Sequence, residues 1–188
     1  MKLPKSYILL GTGFLSFFIF LFMLGGPAYS REVDCIGCHE TLSSGKVVHQ
    51  ALSMGCPTCH SAIDANKIPH KTTNNRAKGL SSKALDLCYD CHDKAQFMKK
   101  TTHAALVLGC SSCHNPHSSM DSKLLVSSMP GLCFTCHEKD SVTGKNSAHP
   151  QVAGVLCTSC HNPHSTDTPQ LLSFQPSAPP LLASEKAR

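Results

Sequence analysis

The sequence lacks any long run in which apolar and polar residues alternate, and that absence argues against a substantial β-sheet. It also has no tryptophan, and aromatic residues make up only 6% of its 188 residues. Its one long apolar run lies at the N-terminus, at residues 7–24. We therefore expect sparse secondary structure, with short helices at residues 51–54, 85–89, 104–108 and 151–156.

No cysteine lies outside six copies of the pattern Cys-x-x-Cys-His. The cysteines of these motifs are Cys35, Cys38, Cys56, Cys59, Cys88, Cys91, Cys110, Cys113, Cys133, Cys136, Cys157 and Cys160. The motif histidines are His39, His60, His92, His114, His137 and His161. Six spare histidines remain, one for each motif: His49, His70, His103, His117, His149 and His164.

The spacing within the motif suits the attachment of a c-type haem. Cysteines three residues apart lie on one face of a short helical turn, and the following histidine lies beside them. Two thiols placed in this way can add to the two vinyl groups of a porphyrin, while the imidazole binds its iron. Because a haem iron has two axial positions, the motif histidines and the spare histidines together can ligate every iron. The sequence therefore predicts six covalent c-type haems, each with two histidine ligands.

Three other uses of paired cysteines compete with this interpretation. A small exported chain rich in cysteine can carry a disulfide framework, and CxxC pairs can build zinc ribbons. A CxxC pair can also be a redox dithiol of the thioredoxin type. None of the three explains why histidine occupies the fifth position of every motif.

The motifs fall into three pairs, within which the first cysteines are 21, 22 and 24 residues apart. In each pair one spare histidine precedes the second motif and another follows it. The following histidine stands in CHNPHSS and CHNPHST in the last two pairs, and as His70 in an IPHK context in the first. Three diverged copies of a two-haem unit describe this pattern most economically.

The spacing also predicts which histidine closes which haem. Three spare histidines precede a second motif by seven or eight residues and should fold back over its haem, which assigns His49, His103 and His149 to haems 2, 4 and 6. His117 and His164 lie three residues after a motif histidine and cannot reach the far face of that haem, so we assign them to haems 3 and 5. By analogy, His70 should close haem 1.

Through CHNPHSS and CHNPHST, each preceded by a CxxCH 22 or 24 residues earlier, the sequence resembles the doubled-CxxCH family of multihaem cytochromes c. The resemblance covers residues 35–164, and the layout is similar to that of small periplasmic multihaem carriers and of decahaem conduits in metal-reducing bacteria. It implies closely stacked bis-histidine haems with little secondary structure. The first pair departs from the family because it lacks the HNPH element, and the haem number also differs, so the identity of a partner does not transfer.

The N-terminus has the order of a signal peptide. Lys2 and Lys5 precede the apolar run, and Gly-Gly-Pro and the small-residue site Ala-Tyr-Ser follow it, which predicts cleavage after Ser30. An uncleaved membrane anchor is the alternative. The predicted domains are a signal peptide at 1–30, a hexahaem cytochrome domain at 31–164 and a proline-rich flexible tail at 165–188. The mature protein is expected to be periplasmic or otherwise exported.

The length of the chain limits the fold classes that are possible. About 158 mature residues form one domain, or roughly 26 residues for each haem, which is too few to wrap each haem in its own pocket. We therefore predict a mainly α or irregular fold with little or no β structure, in which three two-haem repeats pack around the haems themselves.

The formal charge of +5 does not indicate a nucleic-acid partner. Removal of Lys2 and Lys5 leaves 15 basic and 12 acidic residues. Six ferric porphyrins add about +6 and twelve propionates about −12, so the loaded protein carries roughly −3. Export argues against nucleic acid as well.

These observations predict an electron carrier or conduit rather than an enzyme. A reductase needs an iron with an open position, which would show as a shortage of histidines, and little chain is left to build a substrate pocket. Expected partners are redox proteins, namely a membrane quinol dehydrogenase, a porin–cytochrome conduit or a terminal reductase. The alternatives are a protomer of an extracellular cytochrome filament, and hence a homo-oligomer, and with less support a multihaem reductase.

Overall fold

The computed structural model describes residues 33–147, 149 and 154–174. The predicted signal peptide, residues 151–153 of one predicted helix and the predicted tail beyond Phe174 lie outside these residues. The chain divides after Val33, and all six motifs belong to the second unit, Asp34–Arg188.

Among residues 33–147, 149 and 154–174, helical structure is confined to segments of three to six residues. In the part of the chain that the structure describes, the α-helices are α1 (Ala84–Tyr89), α2 (Gly131–Phe134) and α3 (Lys139–Thr143). The 3-10 helical turns are Glu40–Ser43, Gln50–Met54, Cys56–Thr58, Ala77–Gly79, Lys94–Gln96, Ala104–Leu108, Cys110–Ser112, Ser122–Leu124, Cys157–Ser159 and Pro169–Leu171. The helices predicted at 51–54, 85–89 and 104–108 are therefore present, the first and third as 3-10 turns. None of the helices within the described ranges is long and apolar enough to cross a membrane.

The strands in the described residues are each two residues long and form three separate antiparallel pairs. They are β1 (Val47–Val48), β2 (Ile63–Asp64), β3 (Lys71–Thr72), β4 (Thr101–Thr102), β5 (Ser118–Ser119) and β6 (Ser165–Thr166). Strand β1 pairs with β5, β2 with β3, and β4 with β6. Two of these contacts thus join segments that are more than 60 residues apart in the sequence.

The polypeptide by itself encloses almost no apolar core. Among the described residues, Ala62 is the only buried apolar side chain, whereas Ser165 is completely buried and polar. Large apolar side chains such as Ile68 and Val107 are more than 80% exposed. A chain with so little buried apolar surface cannot offset the conformational entropy lost on folding. Another apolar body must complete the core.

We expect the chain to be unfolded when it is made without haem attachment, because the polypeptide buries too little apolar surface. Circular dichroism of the purified, reduced apoprotein should show no cooperative thermal transition. The same protein with haems attached should unfold cooperatively and serves as the control. A sharp transition in the apoprotein would contradict this expectation.

Candidate haem-binding sites

Every motif forms the single helical turn that its spacing predicts. The backbone N–H of each motif histidine donates to the carbonyl of the first cysteine four residues earlier, at 2.9–3.0 Å in all six motifs. No disulfide joins any two of the cysteines in the described part of the chain. Two thiols three residues apart, followed by an imidazole on the same turn, are the donor set that covalent attachment of a haem requires. We number the sites 1 to 6 after the motif that contributes the cysteines.

Each motif histidine lies opposite one spare histidine. The ring-centre distances are 6.0 Å for His39–His70, 6.1 Å for His60–His117, 6.3 Å for His92–His49, 5.9 Å for His114–His164, 6.0 Å for His137–His103 and 5.8 Å for His161–His149. An iron about 2.0 Å from each ring nitrogen would separate two ring centres by roughly 6 Å, since each centre lies about 1 Å behind its nitrogen. The spacing of all six pairs therefore fits one iron between two imidazoles.

The expected assignment of spare histidines to haems is wrong for four of the six. His49 lies against the motif histidine of site 3, not site 2, and His117 lies against that of site 2, not site 3. In the same way His103 faces site 5 rather than 4, and His164 faces site 4 rather than 5. Only His70 and His149 lie where the spacing placed them, at sites 1 and 6.

The long-range strand pairs explain this exchange. Strand β1 ends next to His49 and strand β5 begins next to His117, and the two strands pair antiparallel. The His49 N–H then donates to the His117 carbonyl at 2.8 Å, so one backbone contact brings both spare histidines together. Strands β4 and β6 repeat the arrangement, with the His103 N–H donating to the His164 carbonyl at 2.8 Å.

The close approach of β1 to β5 depends on Gly45. A Cβ at Gly45 would lie 2.5 Å from the backbone nitrogen of Ser119, so no other residue fits without a shift of the backbone. The Gly45 N–H donates to the buried Ser118 hydroxyl at 3.1 Å. Spacing within a motif pair could not reveal a contact of this kind, because it lies between pairs.

One histidine at every site has its Nδ1 fixed by a backbone carbonyl. The Nδ1···O distances are 2.7 Å for His70 to Lys67, 2.8 Å for His60 to Lys78, 2.8 Å for His49 to Pro116, 2.8 Å for His114 to Lys123, 3.0 Å for His103 to Pro163 and 2.8 Å for His161 to Gln170. A carbonyl only accepts, so Nδ1 carries the proton and Nε2 keeps its lone pair for a metal. Such hydrogen bonds also orient the ring and raise its basicity as a ligand.

The carbonyls that hold the second motif histidine of each pair come from three equivalent turns. The residues that supply them, Lys78, Lys123 and Gln170, all have positive φ of 50–57°. Non-glycine residues rarely adopt this left-handed conformation, and it points the carbonyl back at the imidazole. The turns Ala77–Gly79, Ser122–Leu124 and Pro169–Leu171 are therefore one device repeated in each pair.

Burial keeps two spare histidines neutral. It lowers the pKa of His117 and of His164, and the neighbouring rings of His60 and His114 act in the same direction. A lowered histidine pKa leaves the neutral imidazole, which is the form that binds a metal, as the main species near pH 7.

Thiols of successive motifs approach one another. Burial raises the pKa of the Cys88 thiol to about 11, and the adjacent Cys110 thiol of the next motif adds to the rise. Cys35 and Cys56 form a similar pair, as do Cys133 and Cys157. At longer range, the Cys91 thiol helps to raise the pKa of Cys59, and the Cys113 thiol helps to raise that of Cys133. Neighbouring motifs along the chain are thus electrostatic neighbours in the order 1 to 6.

Site 6 differs from the others in two respects. The rings of His149 and His161 stand at 74° to each other, whereas the angle is 45° at site 1 and at most 20° at sites 2, 3, 4 and 5. The Nδ1 of His149 is also buried without a hydrogen-bond partner, the only such side-chain atom in the described part of the chain. A buried polar atom of this kind calls for an acceptor that the polypeptide does not supply, and a haem propionate is one that suits it.

Comparison with known proteins agrees with the motifs. The family model for the doubled CXXCH motif matches residues 103–142 and 149–181. The first match runs from His103 through motifs 4 and 5, so its repeat spans the boundary between our second and third pairs. A 58-residue stretch is 40% identical to Multiheme cytochrome MtrA of Shewanella baltica (strain OS185). The alignment covers 28% of this chain and 17% of that relative.

The CxxCH motifs and these matches support a multihaem c-type cytochrome with doubled CxxCH motifs, and the motifs indicate covalently bound haem c. The twelve histidines that the sequence singles out all lie in these six ring pairs, and their role as iron ligands stays a prediction. Sequence reasoning missed the carbonyls of Lys78, Lys123 and Gln170, because a backbone acceptor leaves no signal in residue type.

The assignment of spare histidines can be tested with two double variants. If His117 closes site 2, H60M/H117M alters one site and leaves five bis-histidine haems, whereas H92M/H117M alters two sites and leaves four. Near-infrared magnetic circular dichroism distinguishes bis-histidine from histidine–methionine ligation and counts each kind. The two variants carry the same number of substitutions and control for each other. Four bis-histidine haems in H60M/H117M and five in H92M/H117M would restore the assignment within pairs.

Proposed function

We propose that this protein transfers electrons through six covalently bound haems, each ligated by one motif histidine and one spare histidine. Haem supplies a one-electron redox centre. The observation that carries the proposal is the set of six imidazole pairs at 5.8–6.3 Å, each of a spacing that suits a single iron. The haems would then form most of the core that the polypeptide lacks.

The residues of the chain fix the redox properties of these sites. Two imidazoles at each iron keep its coordination the same before and after an electron arrives, so little has to rearrange. They also hold the potential below that of histidine–methionine ligation. Carbonyl acceptors on one Nδ1 at every site lower it further, because they make the imidazole a stronger donor.

The thiol contacts support a continuous path. The thiols of successive motifs lie side by side within each pair, as at Cys88 and Cys110. Between pairs they interact electrostatically, as at Cys59 and Cys91. Haems attached at neighbouring thiols have their edges close together, which favours electron exchange from site 1 through to site 6. The chain therefore has the organisation of a wire.

The histidine pairing favours a carrier over an enzyme. A multihaem reductase needs an iron with a free or water-bound position, and here each of the six motif histidines has an imidazole opposite it. We propose no catalytic residue. A protomer of a cytochrome filament remains the second candidate, since a protein with complete internal ligation can still stack end to end.

We place the protein in the periplasm or outside the cell, since the N-terminal residues have the pattern of a signal peptide and c-type haem is attached after export. Its partners would be redox proteins of anaerobic respiration or extracellular electron transfer. A membrane quinol dehydrogenase, a porin–cytochrome conduit and a terminal reductase are the three classes we propose.

The first test is the number and spin state of the haems. Mass spectrometry of the mature protein should give the polypeptide plus six haems, and electron paramagnetic resonance should show only low-spin iron. Cyanide or nitrite added to the oxidised protein should leave the spectrum unchanged. A high-spin signal, or rapid ligand binding to a substantial fraction of the haem, would favour an enzyme.

Site 6 should have a spectroscopic signature of its own. Near-perpendicular imidazole planes give a strongly anisotropic low-spin signal with a large principal g value, whereas near-parallel planes give an ordinary rhombic signal. His149→Met should remove the strongly anisotropic signal, while His103→Met at site 5, where the planes lie 12° apart, should leave it. Retention of the signal in His149→Met would show that it arises elsewhere.

A further inference from the structure

Residues 62–83, which follow the second motif, form a small lobe closed by backbone hydrogen bonds. The Ala62 N–H donates to the Gly79 carbonyl at 3.0 Å, and the Ala62 carbonyl accepts from Thr73 at 2.9 Å. Strands β2 and β3 pair inside it, and the Ser81 N–H ties its end to the Cys59 carbonyl at 2.8 Å. We call residues 62–83 the basic lobe.

The basic lobe carries five basic residues and one acidic residue, a net charge of +4. The equivalent segments after the other second motifs, residues 115–126 and 162–172, have net charges of 0 and −1. All three segments contain the same left-handed turn, so the backbone does not require the charge. The remaining described residues outside the basic lobe hold seven basic and nine acidic residues.

Four of the five cations in the basic lobe lack a salt bridge and face solvent. Lys67 is paired with Asp64 at 2.8 Å, and this ion pair lowers the pKa of Asp64 and raises that of Lys67. The other four are exposed: Lys71, Arg76, Lys78 and Lys83. A cluster of like charge on an ordered surface sets up a field that acts over about a Debye length, ~10 Å at moderate salt.

The basic lobe also contributes residues to the first two sites. It contains His70, whose ring faces His39 at site 1, and the Lys67 carbonyl that holds His70 in place. It contributes the Lys78 carbonyl that holds His60 at site 2. A protein docked on this surface would therefore lie beside one end of the path.

We propose that the basic lobe is the docking surface for an acidic redox protein, which exchanges electrons with the chain at sites 1 and 2; this rests on the proposed function. Each encounter moves one electron, so one protein is oxidised and the other reduced, and no bond forms or breaks. Complementary charge accelerates such encounters and orients the partners, with a strong dependence on ionic strength. Segment 162–172, which supplies the Gln170 carbonyl at site 6 and has a net charge of −1, would then serve a different partner.

The test uses the holoprotein with Arg76→Glu/Lys83→Glu and, as the control, Lys99→Glu/Lys100→Glu. Both variants change the net charge equally, and the control residues are exposed beside strand β4, near sites 4 and 5. Laser-flash photolysis measures reduction by the semiquinone of flavin mononucleotide, which is anionic, and of lumiflavin, which is neutral. At low salt we expect a fall of about 3- to 10-fold with the anionic flavin in the basic-lobe variant and less than ~2-fold in the control. Lumiflavin rates should not change.

A second readout does not depend on electron transfer. A fluorescent 20-residue polyaspartate peptide should bind the wild type with quenching by haem, bind the control with similar affinity, and bind the basic-lobe variant at least about 3-fold more weakly. Equal effects in both variants would show a response to net charge alone and would overturn the proposal. Slow reduction by lumiflavin in the wild type would instead contradict the proposed function, and peptide binding would still decide whether the basic lobe attracts acidic protein.

Discussion

The short antiparallel contacts between β1 and β5 and between β4 and β6 determine how the sites are built. Each contact joins a spare histidine that precedes a second motif to a spare histidine that follows the next second motif, through a 2.8 Å hydrogen bond between their backbones. Each ring then faces a motif histidine of a different pair. Sites 2, 3, 4 and 5 are all closed in this way, so none of the three pairs is complete without a neighbouring pair. The interlocking explains how so little polypeptide can define six positions.

The two remaining sites are each closed within one pair. The position that holds His117 and His164 in the later pairs is Ile63 in the first pair, three residues after His60. His70, after an inserted stretch, faces the motif histidine of site 1 instead. At site 6, His149 faces His161 of its own pair.

The composition of each haem site could be predicted from the sequence to a much greater extent than the contacts between motif pairs could. The type and spacing of residues specify a haem site locally, so the motifs, their helical turns and the complete set of facing histidines could be read directly. The connections between pairs could not, because the spacing of His49 from the following motif suited a fold back over site 2 and gave no sign of a contact with another pair. The entropic cost of a longer loop rises only slowly with its length, and the backbone hydrogen bonds beside His49 and His117 outweigh that cost. The left-handed turns at Lys78, Lys123 and Gln170 were unpredictable for a related reason, since three different local sequences adopt them.

The closure of the end sites bears on how the protein works. Filaments that share ligands between subunits leave an iron at one end without a partner, but here His70 and His149 supply rings at both ends from within the chain. Under the proposed function, exchange with other proteins would occur across surfaces rather than through shared ligation, and partners would bind and leave without changing the coordination of an iron. The two ends also differ, since the charge of the basic lobe lies at site 1, while site 6 has crossed rings and a buried Nδ1 without a partner. A path whose ends differ in charge and in ligand geometry is suited to connecting two different partners, which is what a carrier between a donor and an acceptor requires.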